Sequence, residues 1–189
     1  MIKNLNYSNP FFKVDYVKEE TINITGFTTI TNLSVTPIKV DFVSSILIDK
    51  SCFITAKSNP IEIKEALITR YNFDPEITNP ELHQFCIDNW DNNKVRYPED
   101  PSKWNYPILR SPIEKFDKYE FNCWYLPANT ASSIHNEHLF TEVHTQIYGL
   151  GIMNKFRDNR KETLYQRVYM PIGFTHDYFY DNKIPLASI

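Results

Sequence analysis

The chain has 189 residues and a net charge of −3, with 12 Tyr, 13 Phe and 3 Trp against only 4 Gly. That length fits one domain, 1–189, with its own core, and so many aromatics exclude a disordered chain. The charge offers no electrostatic case for nucleic acid or an anionic membrane, and no apolar run approaches spanning length.

Taken in order, residues 1–20 read as an irregular arm. Met1–Val14 has Asn, Ser and Pro where a secretory segment carries its apolar core, so a cytoplasmic protein is expected. Residues 21–57 are rich in Thr, Ile and Val, and Ile22–Ile30, Val40–Ile48 and Cys52–Ala56 are the predicted strands. Ile61–Arg70 reads as a short helix after Pro60. Asn79-Pro80-Glu81 is a stronger helix start, because a capping Asn precedes Pro at the first helical position. Leu82, Phe85, Cys86 and Trp90 then form one apolar stripe, with His83 off it, and Asp91-Asn92-Asn93 ends the helix.

Residues 92–115 carry four prolines, with Trp104 and Tyr106 as anchors; a loop of that length is a cover over a site, a dimer arm or a plain surface connection. From Tyr119 the pattern is strand again: Tyr119–Leu126, Ser132–His138, Phe140–Phe156, Thr163–Met170 and Asp177–Tyr180. Lys155, Arg157, Arg160, Lys161 and Arg167 form a small basic cluster, a solvated hairpin end or a rim facing an anion. Cys52, Cys86 and Cys123 are scattered, match no metal or redox spacing, and read as free thiols of a reducing compartment.

Chemistry concentrates late in the chain, where four of the five histidines lie between 135 and 176. On a strand, His138, Phe140, Glu142, His144 and Gln146 share one face, while Leu139, Thr141, Val143, Thr145 and Ile147 take the other. Imidazole and carboxylate on one face are an ordinary ligand set for a first-row divalent ion. The signatures of other chemistries are missing. There is no His-Glu-x-x-His, no phosphate-cradling glycine loop and no Gly-x-Ser-x-Gly elbow.

These residues resemble the cupin superfamily over roughly 120–180. His138 is followed after three residues by Glu142 and after six more by Gly149, with Gly151 completing a Gly-x-Gly turn. Pro171-x-Gly173-x-x-His176 is similar to the core of the second cupin motif. Four positions depart from the two motifs: Asn136 stands where the first histidine belongs, Asn129 and Tyr165 replace the opening glycines, and Tyr180 replaces the final Asn. A rival register puts His144 in place of the glutamate, at the cost of Phe140 at a histidine position.

The resemblance implies an all-β fold, a cupin-type jelly-roll β-barrel with one or two peripheral helices. Residues 1–118 would supply strands, helix and loop arm, and 119–181 the motif region. It further implies a divalent ion (Fe, Mn, Ni or Zn) on His138, Glu142 and His176. The fourth ligand is His135 swung inward by a bulge, or the carbonyl of Asn136, or water. His144 is the expected catalytic base, and Gln146, Tyr148, Phe140 and Tyr178 are the expected substrate-binding residues. A homodimer is the expected assembly.

Three functions follow as expectations. The first is a metal-dependent isomerase, epimerase or lyase acting on a small polar substrate, with the ion as Lewis acid and His144 moving a proton. The second is an iron dioxygenase with a dry aromatic pocket, and the third is a non-catalytic protein that binds a small ligand. A buried polar network without metal is the bland counterpart of all three.

Overall fold

A computed structural model describes residues 1–41, 45–92, 108–128, 142–176 and 187–188. Strand is the dominant element and, among the described residues, the helical content is one short helix and one 3-10 turn, so the chain is all-β in class.

The organising element is a two-stranded ribbon. After a short strand, β1 (Ile2–Asn4), come two strands of 21 residues each, β2 (Phe12–Asn32) and β5 (Ser51–Tyr71), paired antiparallel over nearly their whole length. Between them lies a small hairpin, β3 (Ile38–Asp41) with β4 (Ser45–Ile48). The expected single strand over Val40–Ile48 is therefore two paired strands. The expected arm at 1–20 is also strand: β1 pairs with β2 at Ile2↔Val17, and β2 begins at Phe12.

The ribbon meets itself. Residues 66–70 of β5 pair on one edge with 13–17 of β2 and on the other edge with 28–32, as in Ile68 opposite both Asp15 and Ile30. Both segments of β2 are antiparallel to the same stretch of β5, so they run in the same direction. The ribbon therefore winds through a turn instead of folding flat. The bend falls where the register shifts between Ile24 and Gly26, and Gly26 takes φ +65°, a left-handed conformation that glycine adopts without steric cost. Burial follows this geometry. Ile22 and Ile24 alternate with exposed residues in the middle of β2, whereas Val14–Val17 and Thr28–Thr31 are covered on both faces. The buried Asp15 is matched by Arg70 at 2.6 Å and by Asn4 at 3.1 Å.

Ile61–Arg70 belongs to β5 and is not a helix. Its Glu, Lys, Ala and Leu are good helix formers, but Ile61 and Ile63 are buried on one face of an extended chain and Ile68 on the other, and all three find partners in β2. Tertiary pairing overrides the local preference.

Two cores result. One is aliphatic and mostly β-branched: Val17, Ile22, Ile24, Ile30, Ile54, Ile63 and Ile68 of the ribbon, with Ile38, Val40 and Ile48 of the hairpin packed in. The other is aromatic and lies towards helix α1 (Pro80–Asn89), joining Phe12, Tyr16, Tyr71, Trp90 and Phe121 to Leu82 and Cys86. The Asn79 side chain caps the helix by accepting from the N–H groups of Glu81 (3.0 Å) and Leu82 (3.1 Å). Leu82, Cys86 and Trp90 are buried as the stripe requires, and Phe85 is half-buried. His83 is half-buried too, its ring 5.3 Å from that of Tyr125.

Short strands complete the described fold. β6 (Asp91–Asn92), β7 (Leu109–Arg110) and β10 (Trp124–Tyr125) form one small sheet, and β8 (Glu114–Phe116) pairs with β9 (Tyr119–Phe121). β11 (Gly151–Phe156) pairs with β12 (Leu164–Met170) and with β13 (Ala187–Ser188). The basic cluster marks the end of the β11–β12 hairpin, where Arg160 is held by Asp158 at 2.6 Å. Among the described residues the strands close no barrel, and no helix is long and apolar enough to cross a membrane.

Candidate functional site

In its described part, from residue 142, the expected strand over Phe140–Phe156 is regular only from Gly151. Upstream, residues 142–148 run beside 171–176 and make a single bridge, Thr145 opposite Thr175. Gln146 N–H donates to Phe174 O at 2.9 Å, Gly173 N–H donates to Gln146 O at 2.8 Å, and His176 N–H reaches His144 O at 3.4 Å. Where a regular ladder would send the His144 N–H to a backbone carbonyl, the ring of His176 takes it instead, at Nε2 and 2.8 Å. Glu142 and His144 meet as alternation expects, but a strand needs a partner along its length, and in the described 142–148 segment the partner is one bridge long.

This junction brings together three of the predicted site residues. Glu142 Oε1 lies 3.1 Å from His144 Nε2, and the His144 and His176 rings are 5.2 Å apart in an edge-on arrangement. His176 is almost wholly buried. Burial first, and then the neighbouring charges of His144 and Lys155, push its pKa down to about 3, with Glu142 pulling the other way. Its imidazole is therefore neutral at physiological pH. Accepting at Nε2 places the ring proton on Nδ1.

The predicted substrate-binding residues divide. Gln146 donates through Nε2 to Tyr148 O at 2.6 Å. Tyr148 turns its hydroxyl to the start of α1, accepting from Asn79 N–H at 2.7 Å, and packs on Phe73. His135, Asn136, His138, Phe140 and Tyr178 lie outside the described residues, as do Trp104, Tyr106, Tyr180 and the strands expected at Ser132–His138 and Asp177–Tyr180.

The turn at 171–174 is seated hard against β5. Gly173 has φ +81°, and a Cβ there would collide with the backbone nitrogen of Phe53. Four hydroxyls that motif reading did not single out run through the same place: Thr31, Thr145, Thr175 and Ser51. For Thr145 and Thr175 the signal that could have found them is position, since each adjoins a histidine. A cleft of about 410 Å³ opens on the Ser51 and Thr175 side, with Lys50, Asp49 and Phe174 in its lining. Neither Gln146 nor Tyr148 lines it.

The donor chemistry at the junction, two imidazoles and a carboxylate, is what a divalent ion takes. The arrangement is different. Glu142 and His144 face each other, His176 Nε2 faces an N–H, and no group of three His, Cys, Asp or Glu among the described residues is disposed to hold an ion. Among the described residues, Glu142, His144 and His176 form a polar cluster.

No protein-family model, no curated protein and no solved structure matches the chain. The likeness to cupins stands on the motif residues alone.

Proposed function

We propose that the chain is an enzyme of small-molecule metabolism that moves protons, an isomerase, epimerase or lyase, with His144 as base and Glu142 as its orienting carboxylate. The observation that carries this reading is the 3.1 Å approach of Glu142 Oε1 to His144 Nε2 at the junction of the two motif segments. An imidazole whose Nε2 faces a carboxylate exchanges protons at Nδ1, and the carboxylate stabilises the imidazolium that forms. Nδ1 takes the proton from a carbon next to a carbonyl, and the electron pair passes into the carbonyl as an enolate. Return of the proton to the opposite face of that carbon gives the epimer. Its delivery to the former carbonyl carbon, with a hydroxyl proton passing between the two oxygens, gives the isomer, and expulsion of a leaving group from the carbon on the far side of the enolate gives the lyase product. His176, neutral and buried, holds the His144 backbone through that residue's N–H.

The rest of the reading is of the same standing. A cupin-type jelly roll is supported by the ribbon that winds round to its own edge. A homodimer is supported by β12, which is an edge strand among the described residues and exposes Tyr165 and Tyr169. A cytoplasmic setting is supported by Cys52, Cys86 and Cys123, all free thiols.

A second reading keeps the divalent ion and is favoured by the donor set at the junction; His138, with His135 or Asn136, would have to complete it. Elemental analysis of protein purified without chelator separates the two. Stoichiometric iron, lost in His176→Ala, selects the dioxygenase, whereas manganese, nickel or zinc selects the metal-dependent isomerase or lyase.

The test of the first reading is deuterium wash-in, followed by proton NMR, over a panel of small keto acids, hydroxy acids and sugars in heavy water. Loss of about 10²- to 10⁴-fold in His144→Gln is expected, the usual contribution of a general base. No exchange into any panel member by the wild type would overturn it and leave the non-catalytic ligand-binding protein in its place.

A further inference from the structure

We infer that Thr31, Thr145, Thr175 and Ser51 form a directed hydroxyl chain that positions the His144–His176 pair on the ribbon. The direction follows from counting protons. Ser51 donates its only hydroxyl proton to Gly173 O at 2.6 Å, so towards Thr175 it acts as acceptor, at 2.7 Å. Thr175 has then spent its proton, so in its 2.6 Å contact with Thr145 the donor is Thr145. Thr145 in turn accepts from Thr31 at 3.3 Å. Each hydroxyl donates once and accepts from the one before it, apart from Thr31 at the head.

The chain crosses four pieces of backbone that are far apart in sequence. Thr31 lies on β2, Ser51 opens β5, Thr145 sits in the 142–148 segment, and Thr175 follows the Gly173 turn. Thr145 and Thr175 directly follow and precede His144 and His176. Fixing the two hydroxyls at 2.6 Å fixes the span across which the His144 N–H meets His176 Nε2. The chain ends on a backbone carbonyl, which takes up no proton at working pH, so it cannot relay protons to His144. Its role is geometric. A polar contact suits this place better than an apolar one because each hydroxyl constrains its neighbour in direction as well as distance. Thr31 and Thr175 are nearly buried, so a missing partner is not replaced cheaply by water.

These four are positioning residues, and their importance to turnover rests on His144 being the base. The clamp itself is measured without any substrate. Amide hydrogen exchange at His144, read by NMR together with the ¹⁵N shift of His176 Nε2, is compared in the wild type, Thr175→Val and Thr175→Ser. Thr175→Val keeps the shape and removes the link; exchange at His144 should quicken about tenfold, the factor that one lost hydrogen bond of ordinary strength represents. The Nε2 shift should move with it, amides of the ribbon such as Ile24 should keep their wild-type rates, and Thr175→Ser should restore both signals. Unchanged exchange in Thr175→Val, failure of Thr175→Ser to restore it, or equal acceleration throughout the ribbon would each overturn the inference. Should Thr175→Val fail to fold, Thr31→Val at the head of the chain is read the same way, with an effect in the same direction expected and no effect counting against the clamp. A clamp found in a protein that shows no deuterium wash-in would count against His144 as base and leave the clamp standing.

Discussion

The ribbon and the histidine junction lie against each other and are held by different physics. In the ribbon, a continuous antiparallel ladder is backed by an aliphatic core, so any one contact is a small part of the whole. At the junction a single backbone bridge is supplemented by a hydroxyl chain, an imidazole accepting from an amide, and one glycine under steric necessity. Apolar burial is non-directional and tolerates small displacement. Hydrogen bonds between short side chains are directional and do not. The scaffold is therefore redundant where it must be stable and specific where it must place two rings.

The strongest way to break the ribbon is Ile68→Ala. Ile68 is fully buried in the stretch of β5 paired on both edges, so a loss of about 2–5 kcal/mol in urea unfolding is expected for removal of its buried side chain. Less than 1 kcal/mol, on the order of a surface change, would mean that this stretch is not central. Gly173→Ala attacks the other region. The left-handed φ and the collision with Phe53 should cost about 1–3 kcal/mol and raise exchange at His144 more than in the ribbon. A uniform rise would show that the two regions do not open separately.

Acid should sharpen the contrast. The unfolded chain protonates His176 below its ordinary value of 6.5, whereas the folded protein does so only near pH 3. The unfolded state thus binds the extra proton in that window. Stability is fully kept above pH 6.5 and falls as pH drops towards 3, by at most about 1.4 kcal/mol per pH unit from this one group. His176→Gln should lose that component of the slope between pH 6.5 and 4 in urea titrations, and parallel slopes would contradict the neutral, buried ring. The smallest effect expected is at the helix. Asn79→Ala removes the cap and should cost about 1 kcal/mol in thermal unfolding, leaving exchange at His144 unchanged. If the His144 amide responds, the Tyr148 contact with the Asn79 backbone carries more of the junction than its geometry implies.

What could be read from sequence was local, and what could not was partnership. Asn79-Pro80 announced the helix because a cap and a fixed φ act within a few residues. Alternation from His138 put Glu142 and His144 on one face, and they do meet. The same alternation overstated the strand, since only Thr145 between 142 and 148 has a bridging partner. Ile61–Arg70 read as helix because Glu, Lys, Ala and Leu favour it, and nothing nearby reveals that residues 13–17 and 28–32 both wait to pair with it. The polar residues at 1–20 hid β1 and the start of β2 for the same reason. Thr31 and Ser51 were invisible as neighbours of His144 because a hydroxyl chain leaves no spacing in the sequence.

The doubly paired stretch of β5 also sets an order of events during folding. Pairing of β2 with β5 can start beside the β3–β4 hairpin, where Thr31 meets Ser51, and zip towards Phe12 and Tyr71 through progressively longer loops. Docking of residues 28–32 onto 66–70 cannot add to the ladder until the ribbon has wound through its turn, because both edges of one strand must then be filled by two parts of the same partner. Such distant contacts are the slow ones. Refolding should accordingly show early protection at Asn32, whose N–H donates to Lys50 O, and at Ile54, and late protection at the amides of the second edge, with the histidine junction assembling last on a finished surface.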